Sequence, residues 1–417
     1  MPTPIARTTW NFSTAGRLLF GCGATGELGP AVNRLAVSKV LIVSDPVLTR
    51  LGLTSRVADA LKASQLDVEV FDGSEPEPSF AAATAGIEAS NRYQPDAILG
   101  LGGGSNIDLA KIIAVVATHG GSFADYFHFD NIPGPVLPLI AVPTTAGTGS
   151  EVSHAAVLTD HVNKIKVSTL SPYLRPDLAV VDPELTLTCP PQVTADSGID
   201  ALTHAIEACL ATRSTDLAIP PGELFAYEGQ HPIGDIFAER AIRLVGEHLV
   251  RAVEAPDDIT ARTGMALAAT LAGIAFSNCG VALVHAMEYP LGGDLHCTHG
   301  GGNGLLLPYV MRFNQPVRTA ELARIAQWLG EDVGGLSPDE AATRACDCVA
   351  RLRERVGIPL SILELGGRES ELPEYARKAF GIKRLMQLTP REPTEADILA
   401  IYQQAFAPAP TVSRGSE

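Results

Sequence analysis

The chain has 417 residues, 46% of them hydrophobic, with 31 basic against 47 acidic residues and a formal charge of −16. That length suggests two domains or one large one, and the apolar content is enough for a sizeable core. The acidic balance, without a block of Lys or Arg, excludes nucleic acid and anionic membrane as natural partners.

The N-terminal stretch MPTPIARTTW lacks a basic start followed by an apolar run, so no signal peptide is expected. KVLIVSD (39–45) reads as a buried strand, Leu53–Ala63 as a helix and LDVEVFD (66–72) as a second strand. Phe80–Arg92 is helical, DAILGLGGGS (96–105) is a strand running into a glycine loop, Asn106–Thr118 is helical, and PLIAVPTT (138–145) is another strand. Strands alternating with helices imply a parallel sheet covered on both faces. The proline-rich SPYLRPDLAVVDPELTLTCPPQV (171–193) reads as a linker.

From about Thr194 the spacing turns helical and stays so to Ala405, after which the tail reads as frayed. The expected fold class is therefore an α/β domain over residues 1–188 and an all-helical domain over 189–417. Residues 213–235, with prolines at 220, 221 and 232, interrupt the helical half as a long ordered loop, either functional or a surface excursion. No 18-residue apolar run lacks charge or turn signals, so no membrane span is expected. Seven cysteines, at 22, 189, 209, 279, 297, 346 and 348, form no CxxC pair, which argues against a disulfide framework and for a reducing cytoplasm.

Two loops carry nucleotide signals. Gly102, Gly103 and Gly104 in GLGGGSNIDLAK (100–111) follow a strand and open a helix, with Asp108 and Lys111 on its first turns. Glycines let the backbone approach a ligand, and the helix N-terminus suits a pyrophosphate. A tight strand-to-helix turn is the bland alternative, since the spacing is not GxGxxG. PTTAGTGSEVS (143–153) carries Thr144, Thr145, Thr148 and Ser150 on a second such loop. Two loops at strand ends point to a dinucleotide. Asp45 ends the first strand read above, where a carboxylate accepts from ribose hydroxyls and repels a 2′-phosphate, or merely caps a turn.

The helical half carries donors. Asp200 and His204 are four apart on one helical face, a spacing that chelates a divalent ion or simply stabilises a helix. His285 lies in an apolar run that Pro290 is expected to end, and His299 begins a glycine-rich turn. Each alone is unremarkable. Together the four give one oxygen and three nitrogen donors, a set suited to Fe(II) or Zn(II), which polarises a carbonyl or activates an alcohol beside a nicotinamide.

In this order, GGGSNID, PTTAGTGSEV, GIDALTHAIEA and VHAMEYPLGG followed by HGGGNG resemble the iron-containing (group III) alcohol dehydrogenases, over roughly Phe20 to Phe406. The resemblance implies a nucleotide-binding α/β domain, a helical metal-binding domain and an active site between them. It implies Asp200, His204, His285 and His299 as metal ligands. It also implies Gly102–Ser105, Thr144, Thr145 and Thr148 as the cofactor loops, Lys166 near the ribose, and Asp45 at a position associated with NAD rather than NADP. Family members act on small alcohols, aldehydes or hydroxyacids, commonly as homodimers or larger homo-oligomers.

Two departures stand out. Tyr289 replaces a histidine that is held to relay protons near the substrate, and the 213–235 segment is roughly 16 residues longer than usual. Both features are similar to the hydroxyacid–oxoacid transhydrogenase branch. The first reading is an Fe(II)-requiring NAD(H) alcohol dehydrogenase; the alternatives are such a transhydrogenase, or a non-catalytic metal- or nucleotide-binding protein. Arg213 and Arg312 are the cations expected to line the cleft if the substrate is an acid. His296 has no implied role and is read as a cleft or surface residue.

Overall fold

A computed structural model describes residues 7–162, 165–219 and 225–407. Most of the tail expected to fray, from residue 408 on, and residues 220–224 of the long loop fall outside these.

Among the described residues nine strands form two sheets: β1 (Arg17–Phe20), β2 (Lys39–Val43), β3 (Asp67–Phe71), β4 (Ala97–Gly102), β5 (His128–Phe129), β6 (Leu139–Pro143), β7 (Ala155–Asp160), β8 (Ile165–Leu170) and β9 (Leu178–Val181). The larger sheet runs β1-β9-β6-β4-β2-β3 and is parallel throughout. Its strands alternate between two buried faces. Val40, Ile42, Leu99 and Leu101 pack on Val57 and Leu61 of the helix Leu53–Lys62. Leu41, Val43 and Ile98 pack on Ala83, Leu109 and Ile113 of the helices Phe80–Tyr93 and Gly104–His119. Burial on both faces is why the strands read as continuous apolar runs.

The chain leaves β2 in one direction towards β3 and returns to β4 on the other side, so a topological switch point lies between β2 and β4. Ligand crevices form beyond the carboxyl ends of strands at such a point. Here Asp45 follows the end of β2 by two residues, and β4 runs into the glycine loop. Gly102 pairs with Pro143 in register, so the threonine loop after β6 starts beside the glycine loop. Thr144 N donates to Gly102 O at 2.9 Å and ties the two together.

The segment 171–193 is not a linker. It contains β9, which is inserted between β1 and β6 with Leu178, Ala179 and Val180 at 1% exposure or less. The prolines flank a four-residue strand without entering it, so their frequency conceals buried LAVV. A second, three-stranded sheet, β5-β8-β7, went unread; its β7–β8 pair is antiparallel and faces the cleft.

Helices Pro191–Leu210, Pro232–Glu254, Ile259–Cys279, Leu283–Leu295, His299–Trp328 and Pro338–Arg355 build the second half around one large apolar core. Ile259–Cys279 is long and apolar enough to cross a membrane, but 72% of its most apolar window is buried inside this core. Pro290 does not end its helix, which continues to Leu295 and stops where His296 turns left-handed at φ 54°. Burial of Leu291, Gly292 and Gly293 outweighs the missing N–H. His299 starts a helix, not a turn: Thr298 Oγ1 caps it by accepting from Gly301 N at 3.2 Å. The glycines that suggested a loop allow close packing, since a Cβ on Gly300 would collide with the Asp196 carbonyl oxygen.

Candidate active site

Three helices converge on one point. Pro191–Leu210 is buried along most of its length and presents Asp200 and His204 one turn apart; Leu283–Leu295 presents His285; His299–Trp328 presents His299 at its first residue. Donor atoms of Asp200, His204 and His285 lie within 4.8 Å of one another, all buried. His299 joins them through Asn303, one turn along its own helix. Asn303 Nδ2 is 2.8 Å from Asp200 Oδ1, 3.3 Å from His285 Nε2 and 3.2 Å from His299 Nε2. The facing atoms of three separate helices thus point at a common centre.

Two carboxylates orient the imidazoles from behind. Glu207 Oε2 is 2.5 Å from His285 Nδ1, and its Oε1 accepts from Val284 N at 2.7 Å. Glu288 Oε2 is 2.6 Å from His299 Nδ1. A carboxylate on Nδ1 fixes the tautomer that leaves the Nε2 lone pair free, as metal-ligating histidines require. Nδ1 of His204 is buried without a hydrogen-bond partner. Burial pushes the His204 imidazole down to about 3, keeping it neutral. Burial also works against a charged Asp200, but the imidazoles of His204, His299 and His285 hold its carboxyl below the usual range. One ionised oxygen donor and three imidazole nitrogens suit a divalent transition ion. Glu207, Glu288 and Asn303 were missed in the sequence; Glu207, seven residues after Asp200 and so on the same helical face, was the one with a readable signal.

A cleft runs from this cluster to the glycine loop. Of the residues expected at the site, Gly104, Ser105, Asp108, Thr148, Lys166, Asp200, His204, His285, Tyr289 and His299 line it. Gly102 holds φ 144°, a conformation that L side chains rarely adopt, which lets the chain turn from β4 into the helix Gly104–His119. Thr145 packs on the Gly103 position, and Thr144 is buried at the loop junction.

Other residues differ in detail. Asp45 caps the helix Pro46–Arg50 through Val47 N and Leu48 N, and its other oxygen accepts from Asn106 Nδ2 at 2.7 Å. Asp108 lines the cleft, but Ser150 Oγ (2.5 Å) and Val157 N (3.0 Å) occupy both its oxygens. Lys111 is fully buried, its Nζ donating to oxygens of Ser150, Ser153 and Ala155, and so it is a strut of the threonine loop. Lys166 projects from β8 between Glu288 (3.2 Å) and Glu77 (2.8 Å). The Tyr289 ring lies 6.3 Å from that of His299, and burial pushes its hydroxyl up to about 12. His296 is exposed. Arg213 pairs with Glu321 and Arg312 with Asp347, and neither lines the cleft as expected; the first pair ties the segment after Leu210 to a helix, the second joins two helices.

A dinucleotide crevice facing a buried Asp/His donor cluster defines a metal-dependent dehydrogenase architecture. The family model for iron-containing alcohol dehydrogenases matches residues 15–183, and that for the C-terminal part of the same family matches residues 223–406. The chain belongs to the iron-containing alcohol dehydrogenase family. It is 40% identical over 390 residues to a long-chain-alcohol dehydrogenase of Geobacillus thermodenitrificans, covering 93% of this chain and 94% of that one. It is 37% identical over 396 residues to an NAD-dependent methanol dehydrogenase of Bacillus methanolicus, covering 95% and 100%. The crystal structure of a 1,3-propanediol oxidoreductase superposes with a TM-score of 0.89 at 35% identity, covering 95% of this chain and all of that one. The chain is thus an oxidoreductase transferring hydride between an alcohol and a nicotinamide, with a metal activating the alcohol oxygen.

Proposed function

We propose that Asp200, His204, His285 and His299 hold Fe(II), with Zn(II) an alternative occupant, and that the dinucleotide lies across the loops Gly102–Ser105 and Thr144–Thr148 with its nicotinamide end towards the metal. The observation that carries this reading is the single cleft shared by Gly104, Ser105 and Thr148 at one end and all four donors at the other. A divalent ion there supplies Lewis acidity that lowers the pKa of an alcohol. The protein's own residues do the rest. The helix N-terminus at Gly104 offers backbone N–H groups to phosphate. Thr148 and Lys166 line the path between loops and metal, with Lys166 placed to donate to a ribose hydroxyl. Asp45 keeps a carboxylate beside the glycine loop, which favours NAD over NADP. Tyr289, kept neutral by burial, offers a hydroxyl that orients the substrate or passes a proton to water.

The substrate of this reading is a small alcohol or its aldehyde or ketone. The seven cysteines are all free, which supports a reducing, cytoplasmic setting; a homodimer or larger homo-oligomer completes the proposal. Metal analysis of anaerobically purified protein, combined with an alcohol panel under NAD and NADP, tests it. Expected are about one iron per chain and NADH formation exceeding NADPH formation; a metal-free, active enzyme contradicts it.

A second reading, hydroxyacid oxidation or transhydrogenation between two acids, is favoured by one feature. Arg384 donates to Ser168 Oγ at 2.9 Å, its Nε is buried without a partner, and no described carboxylate pairs with it. Ser168 sits opposite Val157, and Val157 lines the cleft. Directly paired residues project on the same face, so this guanidinium stands near the Tyr289 end. Hydride transfer between two acids without added NAD is the outcome that would select it.

A further inference from the structure

Glu288 is a fully buried carboxylate beside the cleft that no step above uses to bind substrate or cofactor. It lies three residues after His285, on the same helical face. Its two oxygens have different partners: Oε2 meets His299 Nδ1 at 2.6 Å, and Oε1 accepts from Lys166 Nζ at 3.2 Å. Lys166 comes from β8, in the other half of the molecule, with its side chain 5% exposed. The slot is shaped by glycines. A Cβ on Gly302 would lie 2.9 Å from Glu288 Cγ, and one on Gly292 would meet the Glu288 carboxylate and come within 3.2 Å of Lys166 Nζ. Two helix backbones, that of Glu288's own helix at Gly292 and that of the helix His299–Trp328 at Gly302, thus leave room for this single carboxylate.

Burying it between a cation and an imidazole satisfies both oxygens, the condition under which a buried charge is tolerated. Glu207 offers the contrast. It also backs a donor histidine, but its second oxygen is spent on Val284 N within the helical half. Glu207 serves one end of the cleft; Glu288 touches both.

We propose that Glu288 is a positioning residue that joins the two ends of the cleft, fixing the His299 imidazole for the metal and the Lys166 ammonium for the dinucleotide with one carboxylate. This rests on the reading of His299 as a metal donor and Lys166 as a dinucleotide contact. Loss of Glu288 therefore loosens both ligands' sites, whereas loss of Glu207 loosens only the metal site.

The test uses full-length protein stripped of metal. Zn(II) dissociation constants are read by competition with a chromophoric chelator, and NADH dissociation constants by fluorescence. Glu288→Ala is expected to raise the Zn(II) constant by about tenfold to a hundredfold, the usual effect of removing a carboxylate behind a ligating histidine, and the NADH constant by about fivefold or more. Glu207→Gln should raise the Zn(II) constant and leave NADH binding unchanged; Lys166→Met should do the reverse. Glu288→Gln keeps the shape of the side chain and guards against misfolding. It still accepts a hydrogen bond but loses the ion pair, so NADH binding should weaken more than metal binding. If folded Glu288→Ala or Glu288→Gln binds NADH as wild type does while Lys166→Met does not, the joint is refuted and the proposed function stands. If wild-type protein binds neither Zn(II) nor NADH, the proposed function itself fails.

Discussion

The two ends of the cleft are built on opposite principles. The nucleotide end is made of backbone and small side chains: Gly102, Gly103, Gly104 and a threonine-rich loop, contiguous in sequence and set side by side by the Gly102–Pro143 register. The metal end is made of titratable groups, buried Asp200, His204 and His285 with half-buried His299, backed by Glu207 and Glu288 and drawn from three helices. The first works by leaving room, the second by filling a desolvated space with oriented charge. Damage at the first end should therefore appear as weaker cofactor binding, and damage at the second as lost metal and lost chemistry.

The largest expected effect is at the metal end. His285→Ala should abolish metal retention and, by removing Lewis-acid stabilisation worth several kcal/mol, lower kcat/KM by about a thousandfold or more. Metal content and steady-state kinetics measured on one preparation check this; retained activity would dissolve the contrast. Next comes the nucleotide end. A Cβ on Gly104 would sit 2.7 Å from Thr148 Cγ2. Gly104→Ala should therefore displace the loop at about 1–3 kcal/mol and raise the KM for NAD by about tenfold, with metal content unchanged.

Tyr289 lines the cleft beside His299, their rings 6.3 Å apart. Because burial pushes its hydroxyl up to about 12, it does not titrate near neutral pH. Tyr289→Phe should lower kcat by less than about tenfold without altering the pH profile. Tyr289→His introduces an imidazole that the same burial lowers from its ordinary value of about 6.5, and it should add an inflection below that pH in kcat/KM.

The smallest effect concerns stability. Burial and the nearby Arg175 and Lys111 hold the His154 imidazole well below its ordinary value of 6.5. The folded chain keeps His154 neutral while the unfolded chain takes up a proton below 6.5. Its contribution is thus present above about pH 6.5 and is lost as pH falls, at up to about 1.4 kcal/mol per pH unit. Thermal melts should show a shallower acid-side decline for His154→Asn than for wild type.

Local pattern carried much of this architecture. Buried strands at 39–45 and 96–105 and the Asp200/His204 spacing are short-range signals, and they appear as β2, β4 and one helical face. Failures came where neighbours in space decide. Prolines around Leu178–Val181 suggested a linker, yet burial between β1 and β6 makes it a strand. Glycines after His299 suggested a turn, yet they are the contact surface of a helix pressed against Asp196. Asn303 and Glu288 carry no sequence signal of their own, because their partners lie on other elements, in part more than 100 residues away. Cations in the cleft were sought at Arg213 and Arg312, whereas Lys166 lines it and Arg384 stands close to it.

Hydride transfer from an alcohol to NAD in this cleft should require a divalent metal on Asp200, His204, His285 and His299. The most direct measurement follows NADH formation from a primary alcohol by one anaerobic preparation, before chelation, after chelator removal, and after Fe(II) is restored. Activity is expected first, then its loss with the dinucleotide site still binding NADH, then its recovery. Undiminished NADH formation by the metal-free protein would contradict it.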